Sequence, residues 1–461
     1  MSILAAFMVP HPPMIVPAVG RGGEKEIEET TRAYEQVASE IALLKPKTII
    51  ISSPHSVMYS DYFHISPGKS ARGSFDRFGA SQISFREEYD EELAQETAGI
   101  AERNSFPAGF LGERDSRLDH GVMVPLYFIR KKYDGFRILR VGLSGLPLTD
   151  HYRFGQMIAE AANRLNRSAV FVASGDLSHK LQSYGPYGFA AEGPMYDERI
   201  MDVCGRGAFG ELFDFDEAFC DKAAECGHRS FIIMAGALDG RAVNATRLSH
   251  QDVTGVGYGI CTFYPGEADP NRRFLDRYLS DAEKLLETKR QQSDEYVRLA
   301  SAAVDCFVRN NKKIRIPEGL PSEMLNKQAG VFVSIHEHGR LRGCIGTFLP
   351  TTYCIAQEII DNAISAASRD PRFDPISANE LKWLDINVDV LSAPEPVSSK
   401  ELLDAKRYGV IVTSGHRRGL LLPDLDGVDT VDEQLAIAKK KAGIREGEPC
   451  SLQRFEVVRH R

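Results

Sequence analysis

The chain has 461 residues, of which 43% are hydrophobic and 26% are charged, and its formal net charge is −8 at pH 7. This composition is that of an ordinary globular protein, the length predicts two or three domains, and the acidic balance gives no reason to expect a nucleic-acid partner. No window holds the ~20 apolar residues of a membrane span, and eight scattered cysteines without a CxxC pair are typical of reduced thiols in the cytoplasm.

Strands and helices are predicted to alternate through the first part of the chain. Residues 67–82, rich in glycine and serine, are expected to form a loop, and 117–126 a polar loop that opens into an apolar helix or strand. Predicted strands cover 3–9, 47–53, 137–142, 169–173 and 256–264, and predicted helices cover 24–44, 88–104, 151–165 and 231–238. The alternation predicts an α/β domain with an open sheet flanked by helices.

Residues 264–272 carry proline, glycine and polar residues without periodicity, which predicts a boundary between domains at 1–268 and 275–461. The second segment mixes helices with two hairpins and is therefore expected to be a smaller α+β domain. Its predicted helices cover 273–310 (two helices), 354–367 and 431–442, its hairpins 331–335 with 341–347 and 409–412 with 419–422, and a further strand 384–391.

Four histidines of the first domain each follow a glycine- or proline-bearing break at the end of a predicted element, namely His11, His55, His120 and His179. Ligands in open α/β sheets bind beyond the carboxyl ends of the strands, so these side chains are candidates for a common site. Two imidazoles and one carboxylate form the ligand set of non-haem Fe(II) oxygenases. His11 and His55 are then natural first ligands, Glu225 is the natural carboxylate, and His179 is left as a general acid or base.

These histidines lie in motifs that resemble, in order, the catalytic subunit of class III extradiol ring-cleavage dioxygenases, the LigB-like family. The resemblance covers roughly residues 1–265 and rests on Val-Pro-His11-Pro-Pro, Pro-His55-Ser, Asp-His120-Gly and Gly-Asp-Leu-Ser-His179. It implies an oxidoreductase that opens an aromatic diol next to the hydroxyls with O₂. It also implies Fe(II) bound by His11, His55 and Glu225, with His179 as acid/base and His120 polarising the substrate or O₂.

The third ligand has an alternative. The related MEMO family shares the fold and has a cysteine followed by glycine at this place, and this chain offers Glu225-Cys226-Gly227. Glu225 would favour iron and is preferred here, whereas Cys226 would favour a softer metal such as zinc or copper(I) and would disfavour ring cleavage. The alternative function is a MEMO-like metal-binding protein without ring-cleavage activity.

Residues 275–461 resemble the AMMECR-type domain, whose mark is Leu-Arg342-Gly-Cys344-Ile-Gly, supported by Asp-Pro-Arg372-Phe. Cys344 is either an activated thiolate, which needs a cation such as Arg369 or Arg372 beside it, or a small packing residue. The candidates in this domain are thus Arg342, Cys344, Arg369 and Arg372. Both family types also occur with a radical-SAM protein in one system, which implies such a partner; a homo-oligomer is left open.

Overall fold

A computed structural model describes residues 2–112, 117–425 and 427–461. The chain divides into two compact units, Met1–Leu279 and Ser280–Arg461. Met1, residues 113–116 and Asp426, which fall inside the two predicted domains, lie outside the described residues.

In the first unit, strands and helices alternate along the chain, which confirms the predicted α/β class. The strands are β1 (Ile3–Val9), β2 (Thr48–Ser53), β3 (Phe63–His64), β4 (Ser70–Phe75), β5 (Ala80–Glu88), β6 (Ala108–Gly109), β7 (Arg137–Gly142), β8 (Ala169–Ser174), β9 (Arg241–Gln251) and β10 (Tyr258–Ala268). The helices are α1 (Pro17–Gly20), α2 (Glu28–Leu44), α3 (Glu91–Arg103), α4 (His120–Arg130), α5 (Leu148–Arg164), α6 (Glu192–Arg206), α7 (Glu217–Ala223) and α8 (His228–Ala237). Helix α9 (Phe274–Gln292) contains the division between the units.

Six of these strands form one mixed sheet in the order β7-β2-β8-β1-β10-β9. The first four run parallel, and β10 and β9 are antiparallel to their neighbours. Strand β2 can be a continuous apolar run because both faces of the sheet are covered. Ile50 faces one core, with Phe154 and Phe231 from helices α5 and α8, and Ile49 faces the other, with Tyr34 and Val124 from α2 and α4.

Two stretches of the first unit differ from the sequence prediction. The predicted loop at 67–82 is wrong, because β4 and β5 pair as an antiparallel hairpin. Its glycines, serines and arginines give no alternation of apolar and polar residues, so the usual signal of a strand is missing. The predicted irregular segment at 264–272 is wrong in its first part, because β10 continues to Ala268.

Three neighbouring strands end together at one edge of the sheet. Val9 of β1 pairs with Ser174 of β8, and Ser52 of β2 pairs with Ala173 of β8. The segments that follow β1, β2 and β8 therefore leave the sheet side by side.

A contact between two glycines brings the segment before α8 to this edge. A Cβ built on Gly175 would stand 2.1 Å from the Cα of Gly227. Gly175 therefore has no room for a side chain, and a Cβ on Gly227 would in turn stand 2.4 Å from the ring of Phe231.

Gly175→Ala is expected to lower the free energy of unfolding of the first unit by about 1–3 kcal/mol, because the added methyl group overpacks the contact with Gly227. Far-UV circular dichroism during thermal unfolding measures the change, with fluorescence of Trp383 in the second unit as an internal reference. Gly205→Ala is the matched control, since the nearest atom to its new Cβ lies 3.7 Å away. Equal stability of both variants would contradict the overpacking argument.

The second unit is an α+β structure, as predicted. Its helices are α10 (Glu295–Asn310), α11 (Ser322–Asn326), α12 (Ile355–Ser368) and α13 (Val431–Ala442). Its strands are β11 (Gly330–Glu337), β12 (Arg340–Thr347), β13 (Leu384–Leu391), β14 (Glu395–Val397), β15 (Gly409–Ser414), β16 (Arg417–Leu421), β17 (Ser451–Phe455) and β18 (Val457–His460). They form sheets in the orders β12-β11-β13-β18 and β14-β17-β15-β16, and both predicted hairpins, β11–β12 and β15–β16, are present. Among the described residues of both units, the helices are either too short or too polar to cross a bilayer.

Candidate metal centre

Three side chains at the sheet edge form a cluster suited to one metal ion. His11 follows β1, His55 follows β2, and Cys226 precedes α8. Their potential ligand atoms all lie within 4.8 Å of one another. The Nε2 atoms of the two histidines are 3.0 Å apart, and the Cys226 Sγ lies 3.7 Å from the His11 Nε2.

The ring of His11 is held by a serine of the neighbouring strand. The hydroxyl of Ser174 donates its one proton to the carbonyl oxygen of Gly121, at 2.6 Å. At its 3.0 Å contact with the Nδ1 of His11 the hydroxyl oxygen must therefore accept, so the ring proton sits on Nδ1. The Nε2 atom, which faces His55 and Cys226, keeps the lone pair that a metal ligand needs.

Ser174→Ala is expected to weaken metal binding about 10–100-fold, because it removes the group that fixes the tautomer and orientation of His11. Titration of the full chain with Zn(II) in competition with a chromogenic chelator measures the affinity. Ser249→Ala, which alters a buried serine on β9, is the matched control. Unchanged affinity in Ser174→Ala would mean that another group orients the imidazole.

Histidine rings gather around the cluster without being charged. The ring of His120 lies 4.0 Å from that of His55 and 5.3 Å from that of His11, measured between centroids. Burial lowers the pKa of His11 well below its ordinary value and also lowers the pKa of His55. Burial, and then the neighbouring His55 and His11, lower the pKa of His120 to about 3. Neutral rings keep the nitrogen lone pairs available at pH 7.

Asp119 places His120 beside His55. Its carboxylate caps helix α4 by accepting from the backbone N–H of Val122, and it accepts from the hydroxyls of Ser53 and Ser56 at 2.7 and 2.9 Å. One side chain thereby joins the segment after β2 to the first turn of α4.

His179 lies next to the cluster with one ring nitrogen turned toward it. Its Nδ1 donates to the carbonyl oxygen of Ala224, which can only accept, so Nδ1 carries a proton. Its Nε2 lies 3.9 Å from Oδ2 of Asp176, and that oxygen lies 3.8 Å from the Nε2 of His11. His179 therefore presents a nitrogen that can accept a proton, as the role of acid/base requires.

Asp176 is a site residue to which the sequence analysis gave no role. Its buried carboxylate accepts from the backbone N–H of His11 at 2.7 Å, and its own backbone N–H donates to the Cys226 sulfur at 3.3 Å. Burial raises the pKa of this carboxyl group, and the hydrogen bond from His11 opposes the shift. Its place in the Gly-Asp-Leu-Ser-His motif, directly after a strand and a glycine, was a signal that could have identified it.

Glu225, the preferred third ligand, is not brought into the cluster. Its carboxylate accepts from the backbone N–H of His228 at 2.6 Å, at the start of helix α8. Burial raises the pKa of Glu225 to about 7, and the hydrogen bond from His228 opposes the shift. Because the glutamate turns back onto its own helix, the thiol of Cys226 is the side chain that meets the histidines. Burial raises the pKa of that thiol well above its ordinary value.

In the second unit, the structure brings Arg372 to Cys344. Both oxygens of the buried Asp370 accept from Arg372, at 2.9 and 2.7 Å, and Asp370 also accepts from the backbone N–H of Cys344 at 2.8 Å. The guanidinium of Arg372 also donates to the backbone carbonyl oxygen of Cys344, at 3.3 Å. The thiol receives a hydrogen bond from the hydroxyl of Ser334, at 3.3 Å across the hairpin. A cation beside Cys344 is what an activated thiolate would need, and the same contacts suit a packing residue, so both readings stay open.

The other two candidates are placed differently. Arg342 shares a strand face with Cys344, because alternate residues of a strand point the same way. Its guanidinium binds the carboxylate of Glu380 at 2.6 Å and the carbonyl oxygen of Asp374 at 2.8 Å. Arg369 is exposed at the end of helix α12.

Asp370→Asn is expected to destabilise the second unit by about 1–2 kcal/mol at pH 7, because it weakens the hydrogen bonds from Arg372 and Cys344. The hydrogen bond from Arg372 first, and that from the Cys344 N–H, hold the pKa of Asp370 well below its usual range. The stabilisation is thus present above the unfolded pKa of about 3.9 and is lost as the pH falls toward the folded value. Urea unfolding followed by Trp383 fluorescence should show a difference between wild type and variant that shrinks below about pH 4. A difference independent of pH would contradict this assignment.

Each of the two units is similar to a known protein family. Residues 5–261 match the family model described as the catalytic LigB subunit of aromatic ring-opening dioxygenase, and residues 297–460 match the AMMECR1 family model. Both resemblances predicted from the sequence are thereby confirmed, in the predicted order along the chain.

A protein of Clostridium acetobutylicum is 40% identical over 470 residues, which cover 100% of both chains. A Thermotoga maritima protein is 52% identical over 168 residues, or 36% of this chain and 97% of that protein. Among solved structures, an uncharacterised protein of Pyrococcus horikoshii is 31% identical with a TM-score of 0.34, and the match covers 37% of this chain and 91% of that one.

Proposed function

The chain belongs to the family of the catalytic LigB subunit of aromatic ring-opening dioxygenases, and from this membership we propose that its first unit binds a metal ion and holds a small molecule beside it, within reach of His179. The observation that carries the proposal is the cluster of His11, His55 and Cys226, with ligand atoms within 4.8 Å of one another. An AMMECR1-type unit follows in the same chain.

The donor chemistry of the cluster fits a metal ion. Two neutral imidazoles and one cysteine sulfur are ligands that Zn(II) accepts in proteins, and such a set leaves room for a further ligand. A thiolate in place of the carboxylate of the two-histidine iron set makes Zn(II) or Cu(I) better suited than Fe(II). A bound metal ion would act as a Lewis acid toward an oxygen atom of the substrate.

The protein's own side chains supply proton transfer, positioning of the ligands and a hydrogen bond to the substrate. His179 takes up and returns a proton at Nε2, and Asp176 holds the segments of His11 and Cys226 together through backbone hydrogen bonds. His120, whose pKa is lowered to about 3 by burial, meets the substrate as a neutral hydrogen-bonding group. Proton transfer at a positioned histidine contributes about 10²–10⁴-fold to a reaction rate.

Two chemistries are candidates at this centre. Fe(II)-dependent opening of an aromatic diol by O₂ is supported by the family and by the placement of His11, His55 and His179. A MEMO-like metal centre that does not cleave rings is supported by Cys226, because its sulfur lies where the iron set needs a carboxylate. We favour the second candidate on this observation.

The two candidates are separated by one experiment. The full chain is purified without oxygen, its metal content is measured, and it is reconstituted in parallel with Fe(II) and Zn(II). Oxygen uptake and a yellow ring-fission product are then followed across a panel of catechols. We expect tight Zn(II) binding and no oxygen uptake with any catechol.

Oxygen uptake that depends on Fe(II) and is coupled to a ring-fission product would overturn our preference and establish the dioxygenase candidate. A His11→Ala chain is the control for adventitious metal. If the wild type binds no more metal than this control, the proposal of a metal centre fails as a whole.

We also propose that a radical-SAM protein is the functional partner of the two-unit chain, which rests on the resemblance of both units to components of such systems. The test is affinity purification of the tagged chain from its native cells, with a tagged His11→Ala chain purified in parallel. Recovery of no radical-SAM protein in either sample would contradict the proposal.

A further inference from the structure

The motif Gly-Asp-Leu-Ser-His, residues 175–179, lies between two other segments of the first unit. On one side it runs along residues 223–227, where a carbonyl oxygen accepts from the backbone N–H of His179 at 3.3 Å. On the other side the backbone N–H of Gly257 donates to the carbonyl oxygen of Ser178 at 2.8 Å. The position of His179 therefore depends on contacts along both sides of the motif.

A buried carboxylate of helix α6 reaches the residue before His179. The Oδ1 atom of Asp197 accepts from the backbone N–H of Ser178 at 2.8 Å. A hydrogen bond to a carboxylate is about twice as strong as one between neutral groups. The carboxylate therefore fixes the backbone at the residue that precedes His179.

The hydroxyl of Ser178 extends this hold to the far side of His179. It donates to the carbonyl oxygen of Ala223 at 2.7 Å and accepts from the backbone N–H of Lys180 at 3.0 Å. The residues before and after His179 are thereby held together. The direction of the imidazole consequently follows from the place of Ser178.

The hydrogen-bond partner of the imidazole has a fixed place of its own. The Nδ1–H of His179 donates to the carbonyl oxygen of Ala224, which ends helix α7 in the left-handed conformation with φ of 54°. This conformation is uncommon for residues other than glycine, so the acceptor is held by its own turn. The bond at Nδ1 decides which ring nitrogen carries the proton and leaves Nε2 free to accept one.

The other oxygen of Asp197 is held by a histidine of strand β9. The Nε2 of His250 lies 2.9 Å from Oδ2 of Asp197. The guanidinium of Arg247, 3.4 Å from Nδ1 of His250, can only donate, so Nδ1 accepts and the ring proton is on Nε2. His250 therefore donates to Asp197, and the carboxylate has a donor on each oxygen.

The carboxylate also has little room to turn away from Ser178. A Cβ built on Gly257 would stand 2.0 Å from Oδ2 of Asp197. A side chain at position 257 would thus displace the carboxylate. Helix α6 carries Asp197, strand β9 holds it through His250, and the backbone before β10 packs against it.

We propose that Asp197 is a positioning residue of the metal centre. Through the backbone of Ser178 it keeps the Nδ1–H of His179 on its acceptor, so that Nε2 is the nitrogen presented to the substrate. The proposal rests on the proposed function, in which this Nε2 takes up and returns a proton. Asp197 acts through the backbone and does not touch the reacting atoms, and His250 supports it by holding the carboxylate.

Nitrogen NMR of the full chain, labelled at its histidines and freed of metal with a chelator, tests the proposal. At a pH of about 8, above the ordinary pKa of histidine, the shifts of the two ring nitrogens report which one carries the proton. The spectrum of His179→Gln identifies the signals of His179. In the wild type these signals are expected at the positions of the Nδ1–H tautomer.

In Asp197→Ala both signals are expected to move at least about a tenth of the way toward the Nε2–H tautomer, because the hydrogen bond that selects Nδ1 is weakened. Asp197→Asn keeps an oxygen to accept from the N–H of Ser178 and is expected to restore the wild-type positions. Asp202→Ala, at an exposed acid of the same helix that pairs with Arg206, is the matched control. If Asp197→Ala does not fold, Asp197→Leu fills a similar space without an acceptor and is expected to show the same displacement.

Wild-type signals in a folded Asp197→Ala or Asp197→Leu chain would overturn the proposal, because Asp197 would then only stabilise the fold. Equal displacement in Asp197→Asn and Asp197→Ala would overturn it as well. Neither outcome depends on bound metal or on turnover. If the wild type binds no metal while the signals behave as expected, the proposed function fails and the positioning of His179 by Asp197 is still supported.

Discussion

A chain with Cys226→Ser is expected to bind Zn(II) at least about a hundredfold more weakly than the wild type, because the change removes one of the three donors of the cluster. Serine keeps the size of the side chain and an acceptor for the backbone N–H of Asp176, which the sulfur accepts at 3.3 Å. The loss would thus report the missing sulfur donor rather than a collapsed segment. Zn(II) titration against a chelator, with circular dichroism to confirm folding, measures the effect.

Glu225→Gln is the matched control for this experiment, because it changes the neighbouring residue and keeps an oxygen to accept from the N–H of His228. Its affinity for Zn(II) is expected to stay within about threefold of the wild type. The reverse pattern, with metal lost in Glu225→Gln and kept in Cys226→Ser, would restore the carboxylate ligand set that the sequence analysis preferred. Fe(II) would then be the metal that the site favours.

His179→Gln is expected to reduce turnover about 10²–10⁴-fold while the chain keeps its metal. The amide of glutamine can still donate to the carbonyl oxygen of Ala224, as the Nδ1 of His179 does. It cannot accept and return a proton as Nε2 can. The prediction applies to the Fe(II)-reconstituted chain with any catechol of the panel that it turns over. Single-turnover rates are measured on that catechol, with metal content determined on the same sample.

His416→Gln, at an exposed histidine of the second unit, controls for the loss of an imidazole as such. Turnover and metal content of this control should equal those of the wild type. If His179→Gln loses its metal, His179 is a ligand and not the acid/base. If turnover is unchanged, another group moves the proton, and His120 is the next to replace.

Much of the fold could be predicted from the sequence because buried elements leave a strong pattern. The strands Ile3–Val9, Arg137–Gly142 and Leu384–Leu391 and the helix Val431–Ala442 have the predicted bounds. Ile3–Val9 is covered on both faces and is apolar throughout, whereas Leu384–Leu391 alternates apolar with polar residues over most of its length. Either pattern identifies a strand without knowledge of its neighbours.

The hairpin Ser70–Phe75 with Ala80–Glu88 could not be predicted in the same way, because one of its faces lines a polar cavity. Its arginines and serines line the cavity, so the alternation of apolar and polar residues that is typical of a strand is missing. Helix Glu192–Arg206 was not predicted either, and it contains two glycines and a proline. Gly193 and Pro194 stand in the first turn, where proline costs no hydrogen bond of the helix, and Gly205 stands in the last turn.

By itself, the sequence determined the two families, the α/β and α+β classes, and four histidine motifs at the ends of predicted elements. These follow from local pattern and from the order of motifs along the chain. The roles of the individual histidines remain predictions. Only the tertiary structure decided that Cys226 meets His11 and His55, whereas the carboxylate of Glu225 accepts from the N–H at the start of helix α8. Glu225 and Cys226 are neighbours, so their spacing from the histidines in the sequence cannot tell which one faces the site. The direction of each side chain depends on the backbone path. That path is in contact with a distant segment of the chain, through Gly175 against Gly227 and through Asp176, which lies 50 residues before Cys226.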